Sequence, residues 1–343
     1  MSSTTFQLES LPLIPLYNFL EMMYIHSLIE LTKCNKSLKT FLQKGPIQSG
    51  GYQISMDEFG SSIEMFHQEF RYYWNRKEKS NLLEMVLGCY RYLESVFPGG
   101  INHLKVCPTY SEFFDRLPKT CQILSVGQES EINTEWDLES MENDEFSNLD
   151  VLLNHVDFQK GLSLNGPMKM MTENEKMFRI DWLKINNSEW MTSRILGKLK
   201  NKIIYLSKVS FNEEEMNGFI LDLKKNGNDQ LEIMSIERNG KWNEEEVMKG
   251  LEASRVGKKQ KYFIENYNPI IRSENFLPYC SGNEITVYDA YEFRRADGVR
   301  CSIEIKYSTI RIFIWNQKKK EWMKRRGSTM KMSDEEPVVK KNC

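Results

Sequence analysis

The residues able to do chemistry are few, and their spacing does not favour it. The four histidines, His26, His67, His103 and His155, occur singly, and none sits in a spacing such as H-E-x-x-H that would hold a catalytic zinc. The seven cysteines, Cys34, Cys89, Cys107, Cys121, Cys280, Cys301 and Cys343, are scattered and never form C-x-x-C, so neither a zinc knuckle nor a disulfide framework is expected. Isolated thiols of this kind pack as small hydrophobes. No G-x-S-x-G elbow, P-loop or G-x-G-x-x-G occurs, which leaves acyl transfer and nucleotide phosphate binding without their local geometry.

Two acidic tetrads stand out, Asn212-Glu213-Glu214-Glu215 and Asn243-Glu244-Glu245-Glu246. Successive residues on a helix point in different directions, so three adjacent carboxylates do not converge on a metal or a substrate. Their expected use is structural: the Asn caps free N–H groups and the carboxylates lie at the positive end of the helix dipole. Aromatic and basic residues interleave in Phe70-Arg71-Tyr72-Tyr73-Trp74-Asn75-Arg76-Lys77, a composition able to stack on single-stranded nucleic acid. With 46 basic against 48 acidic residues and a formal net charge of −2, the chain lacks the basic field such a surface needs. Packing is the expected role there. Neither cofactor, metal nor nucleic acid is expected, and any chemistry belongs to partners.

The elements that carry these residues alternate. Each tetrad follows a β-like run and precedes apolar residues at helical spacing: Met216, Phe219, Ile220 and Leu223 after the first, Val247, Met248 and Leu251 after the second. Residues 203–226 and 231–254 thus form an internal strand–helix repeat. Further strands are expected at 103–106, 121–126, 151–156 and 180–185, with a hairpin or edge pair at 52–56 and 63–66, and a helix over 82–97 closed by Pro98-Gly99-Gly100. Spacings near 20 to 30 residues suit a leucine-rich-type solenoid with a largely parallel sheet, although the intervals are uneven and the usual asparagine ladder is not seen. At the close, 291–295, 299–306 and 309–315 read as a terminal meander able to cap the sheet edge.

The N-terminal unit differs. From Leu11 to Leu42 the apolar residues fall into three groups at helical spacing: Leu16, Phe19, Leu20 and Met23, with Pro15 in the first turn; then Ile25, Leu28, Ile29 and Leu31; then Leu38, Phe41 and Leu42 behind an Asn35 cap. Gly45 and Pro46 stop the last. Three such helices bury too little surface to stand alone, so part of their apolar face is expected to belong to another surface.

Leu11-Pro12, the helix ending at Met23, the run Leu28-Ile29-Glu30-Leu31-Thr32-Lys33-Cys34-Asn35-Lys36 and the basic third helix together resemble the F-box, in the form found in the expanded nematode F-box families. Many F-boxes carry Asp-Pro after the helix-one Met, where this chain has Tyr24-Ile25. The resemblance implies docking to a Skp-family adaptor, and through it to a cullin, by Pro12, Ile14, Pro15, Leu16, Leu20, Met23, Ile29 and Cys34. Further along, Asn187-Ser188-Glu189-Trp190-Met191-Thr192, the stretch 207–223, and Tyr291 to Gly298 with Ile303-Glu304-Ile305 resemble the F-box-associated type 2 domain of the same families, which implies protein recognition.

The expected fold is therefore α/β (α+β overall): a small three-helix F-box followed by an irregular leucine-rich-repeat-like α/β solenoid closed by a C-terminal β-meander. The divisions are 7–46, the F-box; 47–180, an irregular α/β repeat region with an acidic loop at 129–150; 181–316, the F-box-associated domain; and 317–343, a disordered charged tail. The expected function is that of a non-catalytic substrate-recognition subunit of an SCF-type cullin ubiquitin ligase. The competing expectations are a protein-interaction scaffold with a degenerate F-box and a hydrolase hidden in the α/β body. With no basic residue in Met1–Ser10 ahead of an apolar run, and no uninterrupted apolar run long enough to span a bilayer, the chain is expected inside the cell, without a membrane partner. The basic clusters 318–320 and 324–326 leave a nuclear address open.

Overall fold

Alternation of side chains along a strand, combined with in-register pairing, dictates the architecture. The computed structural model describes residues 25–44, 50–56, 60–65, 70–75, 79–107, 113–127, 149–165, 174–225, 227–264, 277, 280 and 284–315. In chain order the elements are α1 (Ile25–Cys34), α2 (Lys36–Lys44), β1 (Tyr52–Met56), β2 (Gly60–Met65), β3 (Phe70–Asn75), α3 (Lys79–Val96), β4 (Ile101–Val106), β5 (Thr120–Val126), α4 (Leu149–His155), β6 (Asp157–Leu164), β7 (Trp182–Ile185), α5 (Ser193–Lys198), β8 (Ile203–Val209), α6 (Glu213–Lys225), β9 (Ile233–Arg238), α7 (Glu244–Val247), β10 (Ser254–Val256), β11 (Gln260–Phe263), β12 (Glu284–Val287), β13 (Ala290–Arg294), β14 (Arg300–Lys306) and β15 (Thr309–Trp315).

Thirteen of the strands form one open mixed sheet in the order β10-β13-β14-β15-β9-β8-β7-β6-β5-β4-β1-β2-β3. Strands β1 and β4 to β9 are parallel and lie in sequence order, each beside the one before it. The register runs unbroken from β6 into β7, so the stretches before and after residue 180 share one sheet. Antiparallel strands extend it at both ends: β2 and β3 beyond β1, and β15, β14, β13 and β10 beyond β9.

Following one register position across the sheet gives Ile54, Leu104, Leu124, Leu162, Leu183, Ile204, Met234, Ile312 and Ile303, every one of them fully buried. This row faces the helices and forms the main core with Leu83, Val86, Leu152, Leu196, Ile220 and Val247. Burying one such side chain contributes about 1.5–3 kcal/mol, so the row dominates the stability of the sheet. The opposite face holds a second core, in which Ile123, Ile203, Ile233 and Phe313 are covered by Tyr262, Ile264, Leu277, Ile285 and Val287. The cover is the separate hairpin β11–β12 with its flanks.

Several local expectations hold. Asn212 and Glu215 form a reciprocal cap on α6, with Glu215 N donating to Asn212 Oδ1 at 2.9 Å and Asn212 N to Glu215 Oε2 at 3.0 Å. Asn243 caps α7 through Glu245 N at 3.1 Å, and Asn35 accepts from Leu38 N at 3.0 Å ahead of α2. One expectation fails. Residues 151–155 form most of α4 rather than a strand, because Leu149, Leu152 and Leu153 bury one helical face; the strand is the more polar β6 that follows. Two asparagines link the chain on the N-terminal side of the strands. Asn201 Nδ2 donates to the carbonyls of Met177 and Ile180, and Asn228 Nδ2 donates to Asn201 O at 2.9 Å.

Candidate functional site

The face of the sheet away from the helices carries the polar residues. One register beyond the apolar cover lies a row of Lys105, Ser125, Ser163, Lys184, Tyr205, Ser235, Arg311 and Glu304. From Ser125 onward all are buried, Lys184 being only 2% exposed and Glu304 1%. Buried charge needs compensation. Glu304 receives it from Arg311, from Lys306 Nζ at 2.7 Å and from the backbone N–H of Tyr288 at 3.1 Å. Tyr205 OH donates to Glu237 Oε2 at 3.2 Å.

At the β1 end, His103 is fully buried between Gln53 Oε1, 3.2 Å from Nδ1, and Ser125 Oγ, 2.8 Å from Nε2. A carbonyl oxygen only accepts, so Nδ1 carries the proton towards Gln53 and the Ser125 hydroxyl donates to Nε2. Nucleophile, base and orienting amide thus stand in the order of a serine hydrolase. An attacking oxygen must meet its substrate, however, and Ser125 is 1% exposed. A cleft of about 350 Å³ between α5 and α6 is lined by Gly197, Leu199, Phe219 and Asn228, and neither His103 nor Ser125 lines it. The His103 chain of hydrogen bonds ties β1, β4 and β5 together, and this geometry supports no attack on a substrate. His155 sits elsewhere, with Nε2 3.1 Å from Leu117 O. Among the described residues no three His, Cys, Asp or Glu side chains converge on a metal-sized site.

The rim of this face, at the C-terminal ends of the parallel strands, is open. The β14–β15 turn exposes Tyr307, 71% accessible at φ +36°, and the segment before β13 exposes Tyr288, 44% accessible. Lys259 and Lys306 place their ammonium groups 5.4 and 5.8 Å from the centroid of the Tyr288 ring. Asp289, at φ +49°, is clamped by Arg255 through two hydrogen bonds of 2.8 and 2.6 Å, which hold its carboxyl below the ordinary carboxylate range. Partial burial, and the bond from its hydroxyl to Glu244, push the Tyr291 phenol up.

The sites expected from the sequence separate. Pro12, Ile14, Pro15, Leu16, Leu20 and Met23 lie outside the described residues. Ile29 is turned inward at 7% exposure and joins Leu28, Leu38 and Leu42 in the chain's own core, whereas Cys34 is exposed. Helices α1 and α2 close on α3: Thr32 Oγ1 lies 2.7 Å from Tyr92 OH, Lys39 sits over the Tyr92 ring at 4.8 Å, and Gln43 Nε2 donates to Ser95 O at 2.8 Å. The 187–192 motif shapes the turn into α5, where Trp190 Nε1 donates to Asn187 O and Thr192 accepts from Ile195 N. In the 291–298 motif, buried Arg295 donates to Asn228 O at 3.1 Å and pairs with Asp297 at 2.8 Å, which ties Asn228 to the meander. The polar row and the tyrosine rim were both missed by sequence reasoning. The row was readable as a Ser, Lys or Tyr at the same position of successive strands.

Comparison of the chain with known protein families, with curated proteins and with solved structures finds no match. No helix among the described residues is long and apolar enough to cross a membrane.

Proposed function

We propose that the chain is a substrate receptor of an SCF-type cullin ubiquitin ligase, acting inside the cell. Its N-terminal helices dock to a Skp-family adaptor, and its α/β body holds a target protein near the ubiquitin-charged enzyme. Rate enhancement in such an assembly comes from proximity, so the docking unit and the target surface have to be held at a fixed separation. What supports the reading is the order of residues from Leu11 to Lys36. The seating of α1 and α2 on α3 through Tyr92 and Ser95 would hold the docking unit fixed to the sheet, and it suits a plain helical cap on the body equally well.

A second reading, an interaction scaffold without ligase contact, is favoured by Tyr24-Ile25 in place of Asp-Pro and by the inward turn of Ile29. With Ile29 inside, adaptor contact rests on Pro12, Ile14, Pro15, Leu16, Leu20, Met23 and Cys34. Co-purification of the full chain with the Skp adaptor separates the two. The receptor reading expects a complex at micromolar concentration that Leu16→Asp or Leu20→Asp abolishes while the circular dichroism of the α/β body is unchanged. No complex with the wild-type chain supports the scaffold.

A further inference from the structure

The thirteen-stranded sheet ends in β10 on one side and β3 on the other, and the two edges differ. An open edge offers backbone N–H and C=O groups to any passing strand, so edges are normally short, charged or interrupted. β10 fits that rule: it has three residues, and Arg255 in its middle is held by Asp289 and Glu244. β3 breaks it. It runs for six residues, Phe70–Asn75, with neither proline nor glycine, and pairs without a register shift along the whole of β2. Its single charge, Arg71, stands opposite Glu64 in that register. Among the described residues no strand lies on its far side, where every second residue turns its N–H and C=O away from β2.

The order of residues in β3 points to the occupant. Phe70-Arg71-Tyr72-Tyr73-Trp74 is close to palindromic about Tyr72, with an aromatic residue at each end. Two antiparallel copies related by a two-fold axis normal to the sheet keep each face on the same side, so odd-numbered residues must stand opposite odd ones and even opposite even. Centred on Tyr72, such pairing sets Phe70 opposite the partner's Trp74, Tyr72 opposite the partner's Tyr72, and Arg71 opposite the partner's Tyr73. Aromatic pairs, and a guanidinium beside an aromatic ring, are pairs that stabilise neighbouring strands. Centring on Tyr73 instead sets Arg71 opposite Asn75 and leaves Phe70 beyond the paired run.

We propose that the chain pairs with a second copy of itself through β3, antiparallel and centred on Tyr72, to give one continuous sheet. The proposal goes beyond the receptor reading and does not rest on it. Pairing β3 with β3 leaves only the short β10 edges open, so assembly stops at the dimer. One pair of short strands is smaller than a standard interface, which sets the expected dissociation constant at about 10–100 µM.

Sedimentation velocity of the full chain from about 1 to 200 µM should show monomer giving way to dimer and to nothing larger. Tyr72→Lys and Tyr72→Glu each set like charges directly opposite one another across the axis, and each alone should weaken the dimer about tenfold or more. Mixed in equal amounts, the two set opposite charges together and should recover a heterodimer. Directly opposite residues lie within disulfide range, so mild oxidation should cross-link Tyr72→Cys at position 72, mapped by peptide mass, and should not cross-link Tyr73→Cys. A chain that stays monomeric throughout overturns the proposal, as does growth beyond two copies or a dimer that both charged variants leave intact. Failure of the mixture to recover the dimer, with both variants keeping the wild-type circular dichroism, overturns it too; if either variant loses that spectrum, the cross-link decides. A cross-link through Tyr73→Cys in place of Tyr72→Cys overturns the register.

Discussion

Replacing Arg238 by alanine removes a tie that holds two repeats and the rim turn together. Its guanidinium lies 3.9 Å from the Trp242 ring centroid, donates to Glu213 Oε1 at 2.6 Å and to the Lys241 carbonyl, and reaches Phe211 O at 3.4 Å. Trp242 in turn donates from Nε1 to Ser308 O at 2.8 Å, next to Tyr307. A hydrogen bond between charged groups contributes about 1.5–3 kcal/mol and a cation over an indole about 0.5–2 kcal/mol; discounted for the partial exposure of Glu213, the loss should be about 2–3 kcal/mol. The effect should depend on pH. The Arg238 hydrogen bond, helped by the Asn243 N–H, holds the Glu213 carboxyl below its usual range. A depressed folded-state value means the stabilisation is present above the unfolded value of about 4.3 and is lost as pH falls through the folded one. Urea denaturation followed by tryptophan fluorescence at neutral and at acid pH measures both. Arg238→Ala should lower the midpoint at neutral pH, and the gap to wild type should narrow as pH falls below the unfolded carboxylate value of about 4.3, leaving the part carried by Trp242 and the backbone carbonyls. An unchanged neutral midpoint, or a gap that persists undiminished in acid, would refute the assignment.

Cys34 is exposed, and Cys121 and Cys301 are buried with thiols pushed up to about 12 by desolvation, so iodoacetamide should modify Cys34 in the native chain and the other two only on unfolding; adaptor binding should then protect Cys34. A fluorophosphonate probe should leave Ser125 unlabelled, as read by peptide mass, while Ser125→Ala should lower stability by about 1–3 kcal/mol through loss of the hydrogen bond to buried His103. Gly127 and Gly100 form a matched pair, at φ +84° and +68°. A Cβ on Gly127 would fall 1.9 Å from the backbone oxygen of Asn165, whereas one on Gly100 meets nothing within 4 Å. Gly100→Ala should cost about 1 kcal/mol of backbone strain, and Gly127→Ala several times that, in parallel thermal melts.

How much the sequence disclosed depended on where the information lies. Helix starts are local, and Asn35, Asn212 and Asn243 cap as their positions imply. The terminal meander was readable because three alternating runs flank short turns. Residues 151–156 misled because a short apolar run suits either a buried strand or a buried helical turn, and β6, with Gln159, Lys160 and Gly161, lacks a strand's usual signature. The covering hairpin was invisible, since β11 and β12 pair across 20 residues of sequence with no tight turn to announce it. Of the candidate sites, the polar row was legible in principle, but its burial and the exposure of Tyr288 and Tyr307 arise from packing between distant segments.

The polar row has a physical task of its own. A sheet covered on both faces usually reads as continuous Val, Ile and Leu. Here Ser125, Ser163 and Ser235 share one register position with Lys184, Tyr205 and Arg311. Neighbouring strands lie about 4.8 Å apart, too close for long side chains on every strand to lie flat, and the serines give the long ones room. A slip of one residue would turn Lys184, Arg311 and Glu304 towards the helices, into the row that is now wholly apolar. Each uncompensated charge there would cost several kcal/mol, so the row forbids the slip even though an apolar row in its place could be equally stable. Side chains that police register cannot readily change to suit a partner.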